Sequence, residues 1–117
     1  MQDITLLRIG VLRAVLYVPG ARSLKDRRQA VVSLRDRIRA RFEVSCHEVD
    51  TLDLPSRSEL AVTTIGRDAA LVRSVLDKIT SFMHAHAACT VGDLVCRVID
   101  WSGEELPLVS ERGGGDV

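Results

Sequence analysis

The apolar residues of this chain repeat with two different periods, and the order in which those periods follow one another leaves few folds open. Leu6 to Val18 is rich in Val, Leu and Ile and stops at Pro19-Gly20, the pattern of a long strand. Leu12, Ala14, Leu16 and Val18 fall on one of its faces, and Arg13, Val15 and Tyr17 on the other. Ser23-Leu24-Lys25-Asp26 then has the form of a capping box. Ser23 accepts from the N3 amide, and the Asp26 carboxylate reaches back toward the cap and the positive helix end. Val31, Leu34, Ile38 and the exit residue Phe42 recur at helical spacing, with Leu24 and Ala30 widening the stripe, so a helix is predicted to about Arg41.

Val44 to Val49 reads as a short strand, and Thr51 to Ser58, with Asp53, Pro55 and Ser56 and no periodicity, as a loop. Glu59 to Ile65 alternates again and is stopped by Gly66. Asp68 caps a second helix from Ala69 to about His84, where Leu71, Val72, Val75, Leu76, Ile79, Phe82 and Met83 make a broad stripe suited to lying on a sheet. From Val91 to Trp101 a last strand sets Leu94, Cys96 and Val98 against Val95, Arg97 and Ile99. The order strand, helix, strand, strand, helix, strand implies two right-handed crossover units. It predicts an α+β, ferredoxin-like β-α-β-β-α-β sandwich, a four-stranded antiparallel sheet with two helices on one face.

With 117 residues, one domain is expected over 1–101, followed by a flexible tail over 102–117 that turns polar and ends in Gly113-Gly114-Gly115. Apolar residues are 46% of the chain and aromatics only 3%, so the core must be aliphatic. Because both helices cover one sheet face, the other is predicted to carry Arg13, Val15, Tyr17, Ser45, His47, Thr63, Val95, Arg97 and Ile99. That face is too apolar for plain solvent exposure, so a partner, a second copy or the C-terminal tail is expected to meet it.

Charge is distributed unevenly. The chain has sixteen Lys and Arg against sixteen Asp and Glu. Eight of those cations, Arg22, Lys25, Arg27, Arg28, Arg35, Arg37, Arg39 and Arg41, lie in the first helix and its approach, against only Asp26 and Asp36, a local net charge of +6. Such a segment is either a solvated face that shields aliphatic core or a surface for a polyanion, of which structured RNA is the commonest large one. Lys25 and Arg28 sit in the first turn, where cations oppose the helix dipole, and this placement points to a use outside folding.

Other chemistry is thinly represented. No apolar run reaches the roughly 20 residues that span a bilayer, and Met1-Gln2-Asp3-Ile4-Thr5 lacks the basic start of a signal peptide, so a cytoplasmic protein without membrane contact is expected. Cys46, Cys89 and Cys96 are odd in number and lack zinc-site spacing, and they read as reduced, buried thiols. His84, His86 and Cys89 cluster after the second helix without further converging ligands, so neither a metal nor a cofactor is predicted. Glu48, Asp50 and Asp53 with Arg57 and Glu59 could be an acid/base constellation, but they read better as a polar loop tied down by ion pairs. No phosphate-binding glycine loop or nucleophile elbow is present, and no enzyme activity is predicted. The topology is also that of RNA-recognition motifs, yet the third strand has no aromatic and the first only Tyr17, so base stacking is not expected.

Several stretches resemble one family. Leu12 with Arg13, Pro19-Gly20-Ala21-Arg22-Ser23-Leu24-Lys25-Asp26-Arg27-Arg28, Glu48-Val49-Asp50, Asp53-Leu54, Arg57, Glu59-Leu60 and Val75-Leu76-Asp77-Lys78 are similar to the signature of the YlxP-like family of small bacterial proteins. The likeness covers about residues 7 to 100, and Pro-Gly-x-x-Ser-Leu-Lys is its most specific part. It implies a ferredoxin-like domain without established activity, encoded among transcription and translation factors beside a ribosome-binding maturation factor.

Three functions therefore compete. The first is a non-enzymatic module for RNA or a ribosomal subunit, with Arg22, Lys25, Arg27, Arg28, Arg35 and Arg39 on phosphates. The second is a homo-oligomeric scaffold using Arg13, Val15, Tyr17, Val95, Arg97 and Ile99. The third is a small-molecule regulatory domain using the Asp50 to Arg57 loop.

Overall fold

The computed structural model of the protein describes residues 6–49 and 54–103. The elements are β1 (Leu6–Tyr17), α1 (Leu24–Arg41), β2 (Ser45–Glu48), β3 (Arg57–Gly66), α2 (Ala69–Ala85) and β4 (Thr90–Ser102). The strands form one antiparallel sheet in the order β2-β3-β1-β4. α1 lies over β2 and β3, and α2 mainly over β1 and β4, on the same face. This is the ferredoxin-like arrangement that the periodicity predicts.

Local signals explain how the chain enters each element. Ala21 N donates to Val18 O at 3.1 Å across Pro19-Gly20, and Gly20 has φ +82°. Proline fixes a negative φ before it, so the turn is type II and needs a residue such as glycine at its third position. Ser23 Oγ accepts from Asp26 N at 3.1 Å, as a capping box requires. The Asp26 carboxylate accepts from Arg22 N at 3.0 Å, one residue before the cap, and so ties the approach to the first turn. Asp68 Oδ1 accepts from Ala70 N and Leu71 N at 2.8 and 3.3 Å and starts α2.

Boundaries shift slightly from the sequence reading. β3 starts at Arg57, two residues early, because Val18 N donates to Ser56 O and Tyr17 pairs with Arg57, which draws this end of the expected loop into the sheet. β4 continues to Ser102, opposite Leu6, one residue into the expected tail. Residues 104–117, the rest of that tail, lie outside the described residues.

The core is aliphatic. Leu12, Ala14, Leu16 and Val18 of β1 and its exit meet Val31, Leu34 and Ile38 of α1, Leu60 and Val62 of β3, and Leu76, Ile79 and Met83 of α2. Gly10 lets α2 approach β1 closely, since a Cβ there would lie 2.6 Å from Val72 Cγ1. Strand register puts Ile9, Val11, Arg13, Val15 and Tyr17 on the face away from the helices. Ile65, Thr63, Ala61, Glu59 and Arg57 lie beside them on β3, and Ile99, Arg97, Val95 and Thr90 on β4. Ser45 and His47 pair with Thr63 and Ala61. All nine residues predicted for the open face lie on it.

Candidate functional site

The basic helix divides into three groups with different surroundings. Arg27 lies in the buried stripe with Val31, Leu34 and Ile38, and is only 3% exposed. Its Nε is 3.3 Å from Glu48 Oε2 on β2, and its Nη1 donates to Leu54 O at 3.1 Å. Glu48 also accepts from the hydroxyl of Ser58, which is fully buried on β3. Arg27 thus ties α1 to β2 and to the chain entering β3. Expected among the phosphate contacts, it is withdrawn from that set because its guanidinium faces inward. The signal was present in the spacing, since positions 27, 31, 34 and 38 share one helix face.

Arg28, Arg35 and Arg39 follow one another at seven and four residues along the flank of α1 beside β2. Arg39 donates through Nε to Cys46 O at 2.9 Å, and its Nη2 lies 3.1 Å from His47 Nδ1. β2 is an edge strand, so this guanidinium covers a carbonyl that would otherwise be open to another strand. Arg35 forms a fork on the neighbouring Asp36 at 2.8 and 3.0 Å. Arg22, Lys25 and Arg28 are exposed, and among the described residues their side chains make no hydrogen bond or ion pair. They surround the start of α1, where the helix dipole adds positive potential.

Arg37 and Arg41 lie on the opposite flank, toward α2. The Arg41 guanidinium stands 5.5 Å from the Phe82 ring centre, and Phe82 meets Phe42 edge to face at 5.8 Å. Arg37 acts on His86 at the end of α2, whose pKa is lowered first by burial and then by this charge.

The remaining candidates separate in space. Glu59, read with the loop acids, sits on the open sheet face and pairs with Arg13. Arg13, Val15, Glu59, Asp93 and Val95 line a shallow depression of about 280 Å³ there. Arg57 is half-buried on β3 opposite Tyr17. Asp50 and Asp53 lie outside the described residues. Burial pushes the Cys46 thiol up to about 11 against the opposing charges of Arg39 and Arg35, so it is neither a ready nucleophile nor a ready ligand. Among the described residues no three His, Cys, Asp or Glu side chains converge as metal ligands, and no helix is long and apolar enough to cross a membrane.

Fold and charge together define a small α+β sandwich with a basic helix flank and a sheet face that no helix covers among the described residues. Residues 9–95 match the model of a family described as protein of unknown function (DUF503), and the chain belongs to that family. Among curated proteins none matches it. Among solved structures it is similar to a de novo designed protein, Foldit4, with a TM-score of 0.46 and 11% identity over 79% of this chain and 96% of that one. It is also similar to a C-terminal segment of the alpha subunit of aIF2 from Pyrococcus abyssi. There the TM-score is 0.42 and the identity 17%, over 85% of this chain and 52% of that one.

Proposed function

We propose that the protein is a non-enzymatic cytoplasmic module that docks on structured RNA of the ribosome through the β2-side flank of α1. Arg22, Lys25, Arg28, Arg35 and Arg39 are the phosphate contacts in this reading. The observation that carries it is the group Arg22, Lys25 and Arg28, exposed and without side-chain partners among the described residues at the positive end of a helix. From position 22 to position 39 the flank extends roughly 25 Å, long enough to follow a run of phosphates.

With no aromatic on β3 and only Tyr17 on β1, recognition rests on backbone charge and shape instead of base stacking. The likeness to YlxP-like proteins, whose genes lie among translation factors, supports the ribosomal partner. The free thiols of Cys46, Cys89 and Cys96 suit a reducing compartment. Co-sedimentation with separated ribosomal subunits at low and moderate salt tests the reading. Salt-sensitive pelleting with one subunit is expected, and no pelleting with either subunit at low salt would refute it.

A further inference from the structure

One end of the open sheet face is a continuous apolar band. Register places Ile9 beside both Ile65 and Ile99, with Leu7 beside Trp101 and Val11 in the next row. Ile65, Ile99 and Trp101 are 65, 43 and 50% exposed. The band is small. Two strand spacings of about 4.8 Å set its width near 10 Å, and four steps along β1 of about 3.3 Å set its length near 13 Å. That is a minor part of the roughly 800 Å² that each partner of a specific interface contributes, so the band is undersized for a second folded copy. It matches a short extended segment, four residues of which reach about 13 Å and so cross all three strands.

The chain carries such a segment immediately after the band. β4 ends at Ser102, opposite Leu6 and one position past Trp101. The sequence continues Gly103-Glu104-Glu105-Leu106-Pro107-Leu108-Val109-Ser110-Glu111. An apolar run is thus flanked by acids on both sides. Charge on the sheet is complementary, since Arg97, in the row beyond Ile99, is exposed and among the described residues makes no hydrogen bond or ion pair. Tethering also favours this segment, because a linker of a few residues gives it an effective concentration in the millimolar range, where a free partner offering the same few contacts is dilute.

We propose that residues 104–111 fold back from the end of β4 and lie across the apolar end of the open face, with Leu106 and Leu108 against it. Three extended residues beyond Gly103 reach about 10 Å, the distance from Ser102 back to the row of Ile99. Pro107 disfavours helical conformations at Leu106, and in an extended chain Leu106 and Leu108 point to the same side about 7 Å apart. One leucine then fills the furrow between Ile99 and Ile9, and the other the furrow between Ile9 and Ile65. A macromolecule using this end of the sheet must first displace the segment, whether or not α1 binds RNA.

Disulfide trapping in the full chain tests the proposal. Leu108→Cys is combined either with Ile65→Cys on the open face or with Leu71→Cys, an exposed position in the first turn of α2 on the other side of the sheet. Mild oxidation should form an internal link several times faster in the Ile65 pair than in the Leu71 pair, read as a mobility shift on non-reducing gels. Leu108→Cys alone measures any link to the three native thiols. Trp101 is the single tryptophan, and the double variant Leu106→Asp, Leu108→Asp should move its emission to the red at every protein concentration, with far-ultraviolet circular dichroism unchanged. Equal linking rates in the two pairs, or emission unmoved by the two aspartates, overturns the proposal. A covalent dimer formed in place of the internal link also overturns it, in favour of a segment supplied by a second copy.

Discussion

Arg27 Nε lies 3.3 Å from Glu48 Oε2, joining the buried stripe of α1 to the edge strand β2. The pair does more than neutralise charge. Glu48 holds Ser58 of β3 through the same oxygen, and Arg27 also holds the carbonyl of Leu54. One arginine therefore fixes the register of three elements around the half of the sheet that α1 covers.

Removing that arginine should be among the most damaging single changes outside the apolar core. Arg27→Ala leaves a half-buried carboxylate without its cation, which costs about 3 kcal/mol, the lower end for broken buried pairs because Glu48 retains some water. Urea denaturation is the check. The double variant Arg27→Met, Glu48→Gln should recover more than half of the loss, since no charge is then left unpaired. Additive losses in the double variant would show that the two side chains act independently.

Two glycines predict unequal costs for the same added methyl group. A Cβ at Gly10 would lie 2.6 Å from Val72 Cγ1 and 3.1 Å from Leu76 Cδ1, inside packed core. Gly10→Ala should therefore destabilise by about 1–3 kcal/mol through overpacking. A Cβ at Gly92 would lie equally close, 2.6 Å, to Tyr17 Cε2, but that ring is exposed and can swing aside. Thermal unfolding should show a clearly larger drop for Gly10→Ala than for Gly92→Ala.

The three thiols should react in an order set by burial. Cys46 is fully buried with its pKa pushed up to about 11, and burial also raises that of Cys89. Cys96 is only partly buried. Limited treatment with a thiol reagent near neutral pH, followed by peptide mass spectrometry, should label Cys96 first and Cys46 only on unfolding. Early labelling of Cys46 in folded protein would contradict this environment.

His86 gives the stability a pH dependence of known sign. Its folded pKa is lowered by burial and by Arg37, so the fold favours the neutral ring and the unfolded chain binds the proton more readily. Its contribution is present above the unfolded value, about 6.5, and is lost as pH falls through the window down to the folded value. The wild-type melting temperature should therefore drop more than that of His86→Gln on acidification through that window. Equal drops would remove His86 as the cause.

Much of the fold was legible because the strong signals were local. The two apolar periods, the Ser23 and Asp68 caps and the Pro19-Gly20 turn are each set by residues a few positions apart, and each proved to bound the expected element. The open face was legible for the same reason, since the two-residue strand period assigns faces without knowledge of partners. Pairings distant in sequence were not. Nothing near Arg27 announced Glu48, although its place in the stripe of Val31, Leu34 and Ile38 marked it as inward. Counting it with the surface cations let composition override spacing. Likewise Glu59 belongs to Arg13 on the sheet instead of the loop acids, a matter of β1–β3 register that only pairing fixes.

Binding of RNA phosphates by one flank of α1, as proposed, would be seen in the salt dependence of binding to a structured ribosomal RNA fragment. Five contacts predict a slope of log K against log salt of about −3.5 to −4.5. Arg28→Glu and Arg37→Glu change the net charge equally but lie on opposite flanks of the helix. Arg28→Glu should weaken binding and flatten the slope, whereas Arg37→Glu should leave the slope close to that of the wild type. Equal losses in the two variants, or wild-type binding insensitive to salt, would contradict a docking surface on the β2 side of α1.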